Sequence, residues 1–297
     1  PTGIEELDRR GFGPNRKALW LGVANTKGGK TWMLIQLAKM SLMHRLRVSH
    51  ITLEMSEGRA AQRYFQALFG VSKRREIHRT IKFKCDELGR VIGFDDVAIS
   101  PRLTLDDEGI RTKLEKVVDK WAIRQLNNIY IKQFPTGALT VHQLEAYLDN
   151  LEATQRFTPD LLIIDYPDLM KTDTDNFRLA LDRIYMDLRG LAIKRNIALA
   201  VVSQSHRGAA RAKTVKGDNV AEAYSKIAHA DVIVTLTSTE AEKKLGLARL
   251  FVIGRNDSDG ITILISQQYG IGSFVCDSAI MPGDYWERIG SEGGEET

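Results

Sequence analysis

Residues 18–31, A-L-W-L-G-V-A-N-T-K-G-G-K-T, constrain this chain more than any other stretch. An apolar run of strand character breaks into a glycine-bearing turn, and Gly29, Lys30 and Thr31 open a segment, 32–44, of helical character. Strand, glycine turn and helix in that order form a phosphate-binding loop. Backbone N–H groups at a helix N-terminus converge on one point, and the helix dipole favours negative charge there. Ala24, Asn25, Thr26, Lys27, Gly28, Gly29, Lys30, Thr31 and Trp32 are therefore the expected nucleotide contacts. Lys30 is placed to reach the β- and γ-phosphates and the Thr31 hydroxyl to bind Mg²⁺. The spacing departs from G-x-x-x-x-G-K-[ST] only at its first position, which is Ala24; Gly28 and Gly29 still let the backbone approach phosphate closely.

Bulk properties exclude several classes. With 297 residues, 43% hydrophobic and 27% charged, the chain can bury a substantial core. No apolar run approaches the ~20 residues of a membrane span, and residues 1–13 are polar and unlike a signal peptide. Cys85 and Cys276 have no metal-ligand spacing and read as free thiols, which suits a reducing, cytoplasmic setting. A net charge of +4 permits a nucleic-acid partner without requiring one.

Hydrophobic patterning predicts alternating strands and helices. Residues 1–17 are turn-rich and read as the trimmed start of a longer chain. Strands are expected at 48–53, 128–132, 161–165, 197–202 and 231–236, and helices at 58–69, 141–154 and 177–195. Residues 71–128 read as an insertion, with the basic run Lys73, Arg74, Arg75, Arg79, Lys82 and Lys84, a hairpin around 86–94 and a helix over 108–126. A closing antiparallel set is expected at 248–253, 260–266 and 272–276, and a disordered acidic tail at 290–297. The pattern is an α/β domain over 1–289, with a mainly parallel twisted sheet flanked by helices and antiparallel strands at its C-terminal edge.

Ligands of such sheets bind at the carboxyl ends of the strands, where Glu54, Asp165 and Gln204 all fall. Nucleotide hydrolysis needs a metal holder, a group that orients or deprotonates water, a γ-phosphate sensor and positive charge for the transition state. Asp165, after L-L-I-I, is the expected Mg²⁺ aspartate, acting with Thr31. Glu54 is the candidate base and Gln204 the candidate sensor. Residues 206–219 carry Arg207, Arg211, Lys213 and Lys216 among small residues, with no acid before Asp218, which suits contact with a nucleic-acid backbone. Arg255, in V-I-G-R-N-D, is placed for a neighbouring subunit to use as an arginine finger, although a plain surface turn fits the residues equally well.

Taken together, A-x-x-x-x-G-K-T at 24–31, T-L-E-M-S at 52–56, L-L-I-I-D-Y at 161–166, S-Q at 203–204 and G-R-N at 254–256 resemble the motor domain of the DnaB-family replicative helicases, within the RecA-like P-loop superfamily. The alanine at position 24 is common in that family. The resemblance implies ATP and Mg²⁺ as ligands, with Lys30 and Thr31 on phosphate and metal, Glu54 as base, Asp165 as the Walker B acid, Gln204 as sensor and Arg255 as a finger acting in trans. It further implies a homo-oligomer, a ring hexamer on single-stranded DNA, whose pore loops would be 171–178, including Arg178, and 207–216. Primase or other replication proteins are the implied partners. Ile253 departs from the family, which often has lysine two residues before the finger. The start P-T-G-I-E-E-L-D-R is similar to KaiC- and RadA-type relatives, so an oligomeric ATPase acting without unwinding stays open, as does a non-catalytic, ATP-stabilised nucleic-acid-binding module.

Overall fold

The computed structural model describes residues 1–25, 28–72, 76–100, 104, 116, 126–172, 176–204, 228–254 and 260–287. Its centre is β1 (Leu19–Ala24), every residue of which is buried. Leu19, Leu21 and Val23 pack with Leu144, Leu148, Tyr185 and Leu188 on one face of the sheet. Trp20 and Ala24 pack with Met33, Leu34, Ile35 and Leu37 on the other. A strand covered on both faces must be apolar at every position, which is why this run lacks the usual alternation. Gly22 lets the helix come close, since a Cβ there would lie 2.3 Å from Met33 Cε.

Around β1 lie β2 (Val48–Thr52), β5 (Ile129–Gln133), β6 (Leu161–Asp165), β7 (Ala198–Gln204), β8 (Val232–Thr237), β9 (Leu247–Gly254), β10 (Ile261–Gln268) and β11 (Ser273–Ile280). They form one sheet in the order β11-β10-β9-β8-β1-β7-β6-β2-β5. Strands β8 to β5 in that order are parallel, whereas β9, β10 and β11 join antiparallel at one edge. This is the mainly parallel sheet with an antiparallel C-terminal edge expected from the patterning. Helices α2 (Lys30–Met43) and α3 (Glu57–Phe69) cover one face; α4 (Val141–Gln155) and α5 (Phe177–Arg195) cover the other. Local signals set their bounds. Ser56 and Asn176 accept the first-turn N–H groups of α3 and α5, Thr140 and Gln143 form a capping box on α4, and Asn196 closes α5 with a left-handed residue.

Several elements differ from expectation. Helix α1 (Glu5–Arg9) forms inside the turn-rich start, where Asp8 accepts from the backbone N–H groups of Thr2 and Gly3. A short α6 (Glu240–Lys244) follows Thr239, whose capping box with Glu242 the patterning overlooked. The insertion hairpin is longer than expected: β3 (His78–Cys85) pairs with β4 (Val91–Ile99), because cross-strand pairs extend well below the turn. Two cations of the basic run are matched there, Arg79 with Asp96 at 2.7 Å and Lys84 with Asp95 at 2.6 Å. Almost all of the expected helix 108–126, and the tail 290–297, lie outside the described residues.

A buried histidine ties β2 to α3. His50 is fully buried, its Nδ1 2.7 Å from Tyr64 Oη, and its Nε2 finds no hydrogen-bond partner. Burial pushes its pKa down to about 3. The unfolded chain, with an ordinary histidine near pH 6.5, therefore takes up a proton that the folded chain refuses. Stability should fall as pH drops below that value, by about 2 kcal/mol between pH 7 and pH 5 from this group alone. Urea unfolding of His50→Phe at both pH values should show that share of the loss removed; an unchanged difference would contradict the assignment.

Candidate active site

The loop after β1 meets the ends of its neighbours. Gly29, with φ of 95°, caps α2 and makes Lys30 its first residue. No side chain fits at position 29: besides the left-handed backbone, a Cβ would lie 2.2 Å from Tyr269 Oη. Asp165 ends β6 opposite Thr52, and Leu53 N donates to the Asp165 carbonyl at 2.8 Å, so the chain leaves β2 beside it. Gln204 ends β7 directly opposite Ala24 and is exposed. The strand ends carrying Ala24, Asp165 and Gln204 thus line one edge, with the segment holding Glu54 next to them.

Within that edge the Thr31 hydroxyl donates to Asp165 Oδ2 at 2.7 Å. Asp165 is fully buried and its second oxygen, Oδ1, has no hydrogen-bond partner. Burial pushes its pKa up to about 6; the Thr31 bond and the Lys30 and Arg63 charges oppose that, and Glu54 adds to it. Lys30 is nearly buried, and its Nζ lies 4.3 Å from the centre of the Tyr166 ring. Glu54 is exposed to solvent, close enough to act electrostatically on Asp165 and Arg63.

Three groups escaped the sequence reading. Arg63, on α3, is half-buried with its guanidinium 5.4 Å from the Trp32 ring. Burial lowers its pKa while Asp165 and Glu54, both within electrostatic reach, raise it. Trp32 in turn stacks on Tyr269, with centroids 5.6 Å apart and planes 13° from parallel. Asp168, in the turn Pro167–Leu169 after β6, accepts from Tyr185 Oη and Ser203 Oγ, each at 2.9 Å. It binds the end of β6 to the end of β7 and to α5.

Of the remaining expected residues, Asn25, Gly28 and Trp32 lie in or beside the loop, and Arg178 is exposed in the first turn of α5 rather than in a loop. The helix takes in Arg178 because Asn176 caps it. Thr26, Lys27, Arg207, Arg211, Lys213, Lys216 and Arg255 lie outside the described residues. Gly254, just before Arg255, pairs with Val232 at the start of β8, the opposite end of the sheet from Ala24.

The Thr31 bond stabilises a carboxylate that the interior would otherwise leave bare. In metal- and nucleotide-free buffer, Thr31→Val should lower the free energy of unfolding by about 1–3 kcal/mol and Thr31→Ser by much less. Equal urea midpoints for Thr31→Val and the parent would show that the hydroxyl contributes nothing.

Comparison with known proteins identifies the fold and the family. Among curated proteins, the chain is 26% identical over 129 residues to a protein described as "DnaB-like replicative helicase" from Enterobacteria phage T4. The match covers 41% of this chain, which spans 27% of that relative's length. Two solved structures share the fold. One, described as an ATPase domain, superposes with a TM-score of 0.68 at 18% identity, covering 93% of this chain and 90% of that one. The other, a DnaB-like replicative helicase described with its interactions with primase, superposes at 0.69 and 16% identity, covering 95% of this chain and 61% of that one. The family described as "DnaB-like helicase C terminal domain" matches residues 1–244, from the phosphate loop through Glu54, Asp165 and Gln204. By that match the chain belongs to the DnaB-like helicase C-terminal domain family, with its RecA-like fold.

Proposed function

We propose that this chain is the ATP-hydrolysing motor domain of a hexameric DnaB-like DNA helicase that moves on single-stranded DNA and opens duplex. Residues 1–289 are read as one such unit carrying the insertion 71–128. The observation that carries the reading is the Thr31–Asp165 hydrogen bond at the start of the phosphate-loop helix. It joins the two groups that would hold Mg²⁺, and the unpartnered Asp165 Oδ1 fits a buried ligand position. Bound there, the ion supplies neutralising charge to the β- and γ-phosphates.

The other roles follow from position. Backbone N–H groups around Gly28 and Gly29 and the Lys30 ammonium hold the phosphates. Glu54, exposed at the same edge, accepts a proton from the attacking water as the γ-phosphoryl group leaves ADP. Arg63, within electrostatic reach of both acids, offsets their mutual repulsion. Gln204 lies opposite Ala24, within the loop's reach, and would relay the state of the γ-phosphate into the segment bearing Arg207, Arg211, Lys213 and Lys216. Those four, with Arg178, are the proposed DNA contacts. Because Gly254 lies at the far end of the sheet from the phosphate loop, Arg255 suits a neighbour's site and acts in trans. The primase named with one structural relative makes primase the proposed partner of the assembled protein.

Lys30→Ala should abolish ATP turnover on single-stranded DNA, and parental turnover would remove the phosphate-loop reading. Glu54→Gln should keep ATP binding but lower kcat by about 10²–10⁴-fold; equal kcat would end the base assignment. Mixing Arg255→Ala with Glu54→Gln subunits should restore part of the activity, and no recovery would count against a site shared between subunits. Strand displacement on a forked duplex separates a helicase from an oligomeric ATPase that does not unwind.

A further inference from the structure

The chain before β1 has no part in that mechanism, but it is fastened to the fold at several points. Gln36 Nε2 of α2 donates to the Thr2 carbonyl at 3.1 Å, and Ser278 Oγ of β11 to Glu6 Oε2 at 2.7 Å. Ile4 and Leu7 are buried in the same core as Trp20 and Val232. Helix α1 is thereby seated on α2 and β11, and Gly11, with φ of 71°, turns the chain out of it. Phe12 comes next. Its N–H donates to the Leu7 carbonyl at 3.0 Å and its carbonyl accepts from Trp20 Nε1 at 3.0 Å, so the backbone of this one residue is held on both sides.

The Phe12 ring lies on the end of β9. A Cβ built on Gly254 would fall 2.8 Å from Phe12 Cε1 and 3.6 Å from both Cδ1 and Cζ. Gly254 is buried, and its backbone has no left-handed φ that would call for glycine; the close approach of the ring does. Trp20 pairs with Val232 and Val232 with Gly254, so Phe12 spans one row of three strands, from the Trp20 indole on β1 to the Gly254 backbone on β9. At the far end of the same connection, a Cβ on Gly260 would lie 2.4 Å from Phe251 Cζ. Aromatic rings thus press on both residues that bound positions 255–259.

Arg255 follows Gly254 directly, and consecutive Cα atoms are about 3.8 Å apart. A ring that fixes Gly254 therefore fixes the point from which Arg255 leaves the sheet. A well-placed arginine finger contributes about 10³–10⁵ in kcat, and a misplacement of about 1 Å at a catalytic group can cost about 10²-fold. An apolar contact that touches no nucleotide can thus control turnover. We propose that Phe12 is a positioning residue for the arginine finger: packed on Gly254, it sets the direction in which Arg255 is offered to a neighbouring subunit's nucleotide. The proposal rests on the reading of Arg255 as a finger acting in trans and adds the element that aims it.

ATPase rates on single-stranded DNA, with ADP binding by titration calorimetry in Mg²⁺, test it. Phe12→Ala and Gly254→Ala should each lower kcat about 10- to 100-fold while the ADP dissociation constant stays within about twofold of the parent. Phe12→Leu, which keeps most of the apolar contact, should recover most of the loss. A loosened fold would not act in trans, so mixing decides between the two. Phe12→Ala subunits mixed with Glu54→Gln subunits should exceed the average of the separate rates, because the latter bring a well-placed finger; mixed with Arg255→Ala subunits they should not. The double variant Phe12→Ala/Arg255→Ala should be no slower than Arg255→Ala alone. If Phe12→Ala does not fold, Gly254→Ala takes its place in each mixture. Parental kcat in these variants, no recovery with Glu54→Gln subunits, or losses that multiply in the double variant would each overturn the proposal. Parental turnover by Arg255→Ala would overturn the finger reading and the proposal with it, a failure seen in that single variant alone.

Discussion

The hydrogen bond from Thr31 to Asp165 is the constraint on which the rest of the site depends. It spans two elements far apart in sequence, the first turn of α2 and the last residue of β6. A carboxylate buried as deeply as Asp165 is costly unless hydrogen bonds or cations compensate. Here the compensation is a single hydroxyl, with the Lys30 and Arg63 charges nearby, and one oxygen remains unsatisfied. The protein thus holds an incomplete polar site in its interior. Such a site persists only because the surrounding apolar strands leave it no other arrangement.

That rigidity has a visible source. β1, β6 and β7 are adjacent and parallel, so their carboxyl ends are held level by ladder hydrogen bonds rather than by loop contacts. Asp168 then ties the chain just after β6 to Ser203 and Tyr185, limiting how far the two strand ends can move apart. Groups held by the sheet stay fixed while Glu54, on the segment after β2, remains open to solvent. This division suits a site in which phosphate and metal are held firmly and water must enter.

The antiparallel edge carries a different kind of order. Glu242 and Arg249 form a buried ion pair at 2.8 Å, with Tyr285 Oη donating to the same carboxylate at 2.8 Å and Trp286 packed over the guanidinium. These partners all come from the edge itself. The edge is thereby a stable platform, and the turn after β10 brings Tyr269 against Gly29 and Trp32 at the phosphate loop.

By itself the sequence determined the order of strands and helices through the core, the phosphate loop, and the placing of Glu54, Asp165 and Gln204 at strand ends. These depend on local physics: periodicity, helix caps and the backbone freedom of glycine act over a few residues, and β1 and α5 were legible for that reason. Elements whose signals are weak or polar, α1 and α6, were missed, as was the true length of the hairpin, because side-chain caps and cross-strand ion pairs set them. Tertiary structure alone decided that Arg63 comes within electrostatic reach of Asp165, that Asp168 joins β6 to β7, and that Tyr269 packs against Gly29 of the phosphate loop. Each of those contacts joins positions remote in sequence, and their meeting depends on sheet order, which no local pattern encodes.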